Sequence, residues 1–216
     1  MRQRIDDYQT FKPIHYGIKT FLSTDEGASH LSIFAPNGDV VGVSTSINSH
    51  FGSKRASLST GIIFNNAMNI FSSPNNRSRH GLPPAEYSTV SPGKRPLSSM
   101  CPTIVIDGDG NVRLVIGGTG GVKIITGAAL VSVLNLWAGK SIKEAVYSPR
   151  AHHQLLPDIV EYESGFSQEV LQGLQQKGHD VEEMGSFSSV IMGIVRDKDE
   201  LYASADYRRG GATDGF

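Results

Sequence analysis

The sequence is poor in cysteine, in surplus charge of either sign and in long apolar runs. Cys101 is its single cysteine, so the chain can form neither an internal disulfide nor a zinc site built from several thiolates. Lys and Arg total 20 against 21 for Asp and Glu, which gives a net charge of −1. A broad nucleic-acid-binding surface needs a basic surplus, so the composition argues against that class of protein.

Targeting signals are equally sparse. The first residues, MRQRIDDYQTFK, contain no apolar core of a signal peptide. The longest apolar stretch, residues 124–138, is interrupted by polar residues and falls short of the roughly 20 residues that a membrane-spanning helix needs. We therefore expect a soluble chain, cytoplasmic by default, in which the sequon at Asn76 would matter only in a secretory compartment.

Glycine is abundant by contrast, with 24 residues, and it separates segments that have strand and helix patterns. Three pairs of alternating segments joined by turn residues predict β-hairpins, namely 30–35 with 40–47, 103–107 with 112–118, and 189–196 with 201–204. Helices are predicted at 122–138, 141–147 and 167–177, and a short buried strand at 61–64. This order of strands, helices and strands indicates an α+β layered sandwich.

Two of the predicted helices differ in their apolar faces. The helix at 122–138 is apolar on most sides, which predicts that it is buried. The helix at 167–177 is amphipathic, and its apolar positions predict that Phe166, Val170, Leu171 and Leu174 face inward.

The run Gly117-Gly-Thr-Gly-Gly121 stands between a predicted strand and a predicted helix. It lacks the Lys-[Ser/Thr] of a phosphate-binding P-loop and the spacing of a dinucleotide-binding loop. Its backbone N–H groups could hold an anion or an oxyanion. Tight packing between strand and helix also explains the glycines, and the pattern leaves both interpretations open.

No metal site and no cofactor are predicted from the residues. The segment 107–111 begins like a calcium-binding loop, but Val112 stands where such a loop needs glycine and Gly118 where it needs glutamate. A hairpin turn is favoured instead. His152 and His153 are adjacent in the sequence, so their side chains point apart and do not chelate one ion.

Several stretches taken together carry a more specific signal than any one of them. They are Ser44-Thr-Ser-Ile-Asn48 followed by Phe51-Gly-Ser53, Pro92-Gly-Lys-Arg-Pro-Leu-Ser-Ser-Met-Cys-Pro-Thr103, the glycine run, His153-Gln-Leu-Leu-Pro157 and Asp206-Tyr-Arg-Arg-Gly-Gly211. In these stretches the chain resembles the γ-glutamyltranspeptidase (glutathione hydrolase) family, over nearly its whole length. Residues 28–216 resemble the light, catalytic subunit and residues 1–27 the tail of the heavy subunit, which predicts an arm followed by a light-chain-like domain.

The resemblance implies a fold and a chemistry. The fold is that of the N-terminal nucleophile hydrolases, a four-layer αββα sandwich. In this family a precursor cuts itself before a threonine, and the freed threonine attacks the γ-glutamyl bond of glutathione with its own α-amine as the base. The acyl group then passes to water or to an amino acid.

The resemblance places the nucleophilic threonine of the family at Ala28, within Gly27-Ala-Ser-His-Leu-Ser32. Alanine has no hydroxyl, so it can neither cut the precursor nor form an acyl-enzyme. Ser29 is a poor substitute, because neighbouring side chains on a strand face opposite ways. The second threonine, which supports the nucleophile, corresponds to Ser46 and keeps its hydroxyl.

The same resemblance places the substrate-contacting positions of the family on this sequence. Those that are kept comprise the substrate-contacting asparagine, two serines for the α-carboxylate and two glycines of the oxyanion hole: Asn48, Ser98, Ser99, Gly120 and Gly121. The two acids that hold the substrate α-ammonium correspond to Ala67 and Ile70, so both charges are lost. The carboxylate-binding arginine of the family belongs to the heavy subunit.

These losses predict a light-chain-like homologue that has lost catalysis. An active glutathione hydrolase or γ-glutamyl transferase would need a partner chain or another nucleophile, and a non-catalytic scaffold or regulatory subunit is a further alternative. The expected partner is a heavy-subunit homologue, or a second copy of the chain, because the light chain presents apolar surface to its partner. Glutathione or a γ-glutamyl peptide is the expected ligand if one is retained, and family members lie at the cell surface or are secreted.

Overall fold

The computed structural model describes residues 2–21, 26–72, 83–185 and 189–215, and the sequon at Asn76 lies outside these ranges. The chain divides into two compact units. The first consists of Met1–Thr24, Ala67–Leu97 and Pro149–Ser188, and the second of Asp25–Asn66, Ser98–Ser148 and Ser189–Phe216. The division into an arm of residues 1–27 and a light-chain-like domain of residues 28–216 stays a prediction.

The regular elements of the described ranges are strands, α-helices and short 3-10 turns. The strands are β1 (Ser29–Phe34), β2 (Val40–Thr45), β3 (Thr103–Ile106), β4 (Val112–Thr119), β5 (Ala151–His152), β6 (Val160–Tyr162), β7 (Val181–Glu183), β8 (Val190–Asp197) and β9 (Glu200–Ser204). The α-helices are α1 (Lys123–Leu136), α2 (Ile142–Tyr147) and α3 (Gln168–Gln176). The 3-10 turns are Arg2–Arg4, Pro13–Tyr16, Ala67–Ile70 and Glu86–Ser88. None of the helices within these ranges is both long and apolar enough to cross a bilayer.

The second unit contains two antiparallel sheets. β1 and β2 form a two-stranded sheet, and the other four strands of this unit form a sheet in the order β3-β4-β8-β9. All three predicted hairpins are confirmed. In the first of them Gly38 adopts φ +91°, a left-handed conformation that glycine accepts without strain, and the turn is closed by a hydrogen bond from the Ala35 N–H to the Asp39 carbonyl.

The two faces of β4 contact different layers, because successive side chains of a strand point to opposite sides. Leu114 and Ile116 are fully buried in a core that also contains Val131 of α1 and Val146 of α2. The opposite face of β4, which includes Gly117, packs against β1 and β2. The second unit is therefore layered as helices, four-stranded sheet and two-stranded sheet.

The three predicted helices are confirmed to within a few residues, but two predictions about their faces are wrong. α1 buries Ile124 and Val131 against the four-stranded sheet, whereas Ile125 and Trp137 are exposed. The apolar circumference of α1 is thus covered on one side only. In α3 Leu171 is buried, but Val170 is 48% exposed.

The predicted buried strand at 61–64 is also wrong. Ile62, Ile63 and Phe64 are exposed, and the pairing in this stretch is a single β-bridge between Ala56 and Ile63. The short apolar run made the segment look like a core strand. Within the described chain no layer covers it, so the side chains face outward.

The first unit contains a small sheet that the sequence analysis missed. Its strand order is β5-β6-β7, with β5 and β6 antiparallel and β6 and β7 parallel. α3 lies between β6 and β7 in the chain and begins at Ser167, whose hydroxyl accepts a hydrogen bond from the Val170 N–H. Strands of two or three residues are too short to show a two-residue alternation, so the sequence carried no usable signal for them.

Candidate functional site

The position predicted for the nucleophile lies just before β1. Ala28 is half-buried, and its backbone N–H donates to the Thr119 hydroxyl with an N to Oγ1 distance of 3.2 Å. The preceding carbonyl, that of Gly27, accepts a hydrogen bond from the Ser46 hydroxyl at 2.5 Å. Ser46 and Thr119 thus bind the two polar atoms of the peptide group that joins residues 27 and 28.

Asn48 extends this arrangement by one residue. Its side-chain oxygen accepts from the Glu26 N–H at 3.2 Å, and its own backbone N–H donates to the Ser46 hydroxyl at 2.9 Å. Asn48 is buried and adopts φ +68°, a conformation that asparagine tolerates better than most residues. We call Ser46, Asn48 and Thr119 the backbone cradle, because each of them binds the main chain of residues 26–28.

Asn66 holds Asn48 from the other side. The Asn48 side-chain amide donates to the Asn66 side-chain oxygen at 3.2 Å, and the same oxygen accepts from the Ser49 N–H at 3.0 Å. The Asn66 amide in turn donates to the Ser49 hydroxyl at 2.8 Å. Because both polar ends of Asn48 are engaged, its orientation is fixed by residues of the same unit.

The glycines of residues 117–121 serve two structural purposes, close packing and a tight turn. A Cβ on Gly117 would lie 2.3 Å from the His30 ring, and one on Gly118 would lie 2.2 Å from the Val190 carbonyl oxygen, so these two glycines allow close packing. Gly120 and Gly121 adopt φ +130° and +60° in the turn that leads into α1. This turn geometry favours glycine, and the role of these two residues in an oxyanion hole stays a prediction.

His30 lies between the two sheets of the second unit. Its Nδ1 is 2.8 Å from the Ser44 hydroxyl and its Nε2 is 2.9 Å from the Ser32 hydroxyl. Burial lowers the pKa of His30 from its ordinary value of 6.5, which favours the neutral imidazole near pH 7. A neutral ring donates through one nitrogen and accepts through the other, so the two serines can satisfy both.

The remaining predicted site residues lie on two other segments. Ser98 and Ser99 precede β3 in the second unit, and the Ser98 hydroxyl accepts from the Met100 N–H at 3.2 Å. Ala67 and Ile70 belong to a 3-10 turn of the first unit, and Ile70 is buried. The structure therefore brings Ser46 and Asn48 to position 28, and it assigns Ala67 and Ile70 to the other compact unit.

Sequence reasoning missed Thr119 and His30 as members of this region. Thr119 was visible as the one hydroxyl inside the glycine run, but nothing in the sequence linked it to residue 28. His30 follows position 28 by two residues on the same strand, so the alternation of β1 places it on the inward face. In the ranges that the structure describes, no group of three or more His, Cys, Asp or Glu side chains is arranged to hold a metal ion.

Comparison with known proteins identifies relatives along the whole chain. The family model for Gamma-glutamyltranspeptidase matches residues 1–216. Scoloptoxin SSD14 of Scolopendra dehaani is 45% identical over 215 residues, which is 99% of this chain and 37% of that protein. A putative inactive glutathione hydrolase 4 of Arabidopsis thaliana is 42% identical over 166 residues, or 76% of this chain and 86% of that protein.

The fold is shared with solved structures. A γ-glutamyltranspeptidase structure from Pseudomonas nitroreducens matches with a TM-score of 0.77 and 31% identity, covering 87% of this chain and 99% of that chain. The predicted α+β fold of the N-terminal nucleophile hydrolases is thereby confirmed. The chain spans little more than a third of the length of Scoloptoxin SSD14, since the match covers 37% of it.

Proposed function

The chain belongs to the γ-glutamyltranspeptidase family, and from that premise we propose that it is a light-chain-like member without γ-glutamyl hydrolysis or transfer of its own. The observation that carries this proposal is Ala28. A methyl group stands where the family chemistry needs a hydroxyl, in a position whose backbone is held by Ser46 and Thr119. Loss of a nucleophile lowers the rate of such reactions by several orders of magnitude.

The neighbouring hydroxyls do not replace the missing one. Ser29 is exposed on β1 and alternates with His30, so its side chain faces away from the half-buried side of the strand. The Ser46 hydroxyl donates its proton to the Gly27 carbonyl and accepts from the Asn48 N–H. These contacts suit a residue that supports the site better than one that attacks a substrate.

The second support for lost catalysis comes from Ala67 and Ile70. By the resemblance, two acids at these positions would pair with the α-ammonium of a γ-glutamyl substrate. Ile70 is buried and apolar, so an ammonium placed beside it would lose its water without gaining a counter-ion. The loss of one partner of a buried charge pair costs about 2–5 kcal/mol of binding.

A role as a partner subunit is favoured by the outer face of the two-stranded sheet. Leu31 and Ile33 of β1 and Val41 and Val43 of β2 are between 45 and 57% exposed, although all four are apolar. We call these four residues the outer apolar face. Contiguous apolar surface on a folded protein marks an interaction site, and a heavy-subunit homologue is the partner that the family suggests.

The deciding experiment is release of glutamate from glutathione by the purified chain, measured by mass spectrometry with and without a co-expressed heavy-subunit homologue. We expect no release above the buffer control in either sample. An active family member serves as the positive control.

Release that persists through purification would contradict the proposal. In that case a Ser29→Ala variant would identify whether the adjacent serine is the nucleophile. Light scattering of the same samples tests the partner role, since we expect the chain alone to self-associate and the co-expressed pair to be monodisperse.

A further inference from the structure

We propose that Thr119 is a positioning residue for the backbone nitrogen of residue 28, and that with Ser46 it holds the 27–28 peptide group ready for cleavage by a hydroxyl at position 28. The inference rests on the proposed function in one respect, namely that Ala28 is the change that keeps this bond intact. It assigns Thr119 a role that the glycine run around it does not reveal.

Thr119 is a buried residue. It ends β4, is 8% exposed, and lies opposite Val190 of β8 in the sheet register. A buried hydroxyl needs a hydrogen-bond partner, since leaving it without one costs free energy. Thr119 finds this partner in the N–H of Ala28, 91 positions away along the chain, rather than in its own strand.

Hydroxyls from two different sheets bind both polar atoms of one peptide group. Ser46 follows β2 and donates to the Gly27 oxygen, whereas Thr119 ends β4 and accepts from the Ala28 nitrogen. A donor at the carbonyl oxygen withdraws electron density from the carbonyl carbon. Thr119 fixes the other end of the group, so the peptide plane has little freedom to rotate.

The backbone cradle fits the chain closely at the residues that precede the bond. A Cβ on Gly27 would lie 2.8 Å from the Asn48 carbonyl oxygen, so residue 27 has no room for a side chain in this conformation. The Glu26 N–H is held by the Asn48 side chain. The backbone cradle thus anchors the three consecutive residues 26–28.

The chemistry that this geometry would support is an acyl shift. A hydroxyl introduced at position 28 would attack the Gly27 carbonyl carbon, the bond from that carbon to the nitrogen of residue 28 would break, and the hydroxyl proton would pass to the nitrogen. The product is an ester of Gly27 on the side chain of residue 28 with a free α-amine. Water then hydrolyses the ester to the Gly27 carboxylate and restores the hydroxyl.

The test begins with the Ala28→Thr variant of the full chain, followed by intact-mass measurement over time. We expect two products, residues 1–27 and residues 28–216. Adding Thr119→Val, which keeps the shape but removes the hydroxyl, should slow the cut about five- to tenfold, the factor expected for one hydrogen bond of typical strength. Adding Thr119→Ser instead should restore most of the rate, which a purely structural role of the methyl group would not predict.

A second measurement makes the result independent of cleavage. In the natural chain the amide hydrogen of Ala28 should exchange with solvent about tenfold faster after Thr119→Val and at an unchanged rate after Thr119→Ser. If Ala28→Thr does not cut, the view that Ala28 alone keeps the bond intact is wrong, and amide exchange still decides the role of Thr119. Unchanged exchange and unchanged cutting in Thr119→Val would overturn the inference.

Discussion

The two sheets of the second unit contain similar residues and differ in what covers them. The four-stranded sheet buries Leu114 and Ile116 completely beneath α1 and α2. The two-stranded sheet turns its outer apolar face to solvent, with Leu31 57% exposed. An alternating apolar pattern therefore shows which side chains share a face, but it does not show whether the chain itself covers that face.

The inward face of the two-stranded sheet makes the contrast sharper, because it carries the polar side chains of His30, Ser32 and Ser44. His30 is bound by Ser32 and Ser44, and it sits against Gly117 of the four-stranded sheet. These hydrogen bonds lie within the hairpin, and the His30 ring packs closely on the four-stranded sheet at Gly117. A sheet whose apolar side faces away from its own unit is suited to contact another subunit.

The largest effect is expected for Arg208, which anchors the chain that follows β9 in the four-stranded sheet. Its guanidinium donates to Asp206 at 3.0 Å and to the carbonyls of Val146 and Ser148 at 3.1 Å each, with the side chain 1% exposed. Arg208→Ala would remove the guanidinium beside the buried Asp206 carboxylate, which would keep hydrogen bonds from backbone N–H donors such as those of Ile191 and residue 208. We expect the free energy of unfolding in urea to fall by about 3–5 kcal/mol.

Arg209, which is exposed, provides the control for this prediction. Arg209→Ala should change the free energy of unfolding by no more than about 0.5 kcal/mol. Equal effects of the two substitutions would show that the buried pair does not stabilise the four-stranded sheet.

The same substitution in the two sheets tests the comparison directly. Leu114→Ala removes a fully buried side chain and should lower the free energy of unfolding by about 2–5 kcal/mol. Leu31→Ala removes a side chain of the outer apolar face and should change it by about 0.5 kcal/mol or less in the chain alone, at concentrations low enough to prevent self-association. Chemical denaturation of both variants provides the measurement.

Co-expression with a heavy-subunit homologue extends this test. If the partner covers the outer apolar face, Leu31→Ala should become destabilising in the complex. A large cost of Leu31→Ala in the chain alone would instead mean that the chain covers this face by itself.

The smallest expected effect is on the pH dependence of stability, through His30 at the contact between the two sheets. Burial lowers the pKa of His30 below 6.5, so at mildly acidic pH the unfolded chain binds a proton that the folded chain resists. Stability should therefore decrease as the pH falls below about 6.5, and it should be fully present above that value.

A His30→Gln variant should show a weaker dependence on pH between 5 and 8 in the same unfolding assay. Some dependence should remain, because burial and the nearby His153 also lower the pKa of His179 in the first unit. An identical slope in the variant and the natural chain would rule out His30 as a source of the effect.

The fold was predictable wherever a local pattern was strong. The hairpins follow from alternation together with turn residues such as Asn37 and Gly38, and α2 follows from the capping residue Ser141, which the structure shows in reciprocal hydrogen bonds with Glu144. β5 and β7 were not predictable, because strands of two and three residues carry no periodic signal.

The candidate site was predictable only in part. Position 28, its predicted support Ser46 and the predicted substrate contact Asn48 were identified through the family resemblance, and their roles stay predictions. The contact of Thr119 with the Ala28 N–H joins residues that are 91 positions apart, and no local pattern encodes such a contact. The burial of Ile70 was likewise hidden, since residues 67–71 are too few to show a helical period and the neighbouring apolar Met68 is exposed.

The close approach of Gly117 to the His30 ring constrains how this family member can change over evolutionary time. A methyl group at position 117 would overlap the imidazole, since it would lie 2.3 Å from a ring carbon. Any larger residue there becomes accessible only after residue 30 has become smaller, so the order of the two substitutions matters. The pair is therefore epistatic, and across lineages we expect a glycine at one position to accompany a ring at the other.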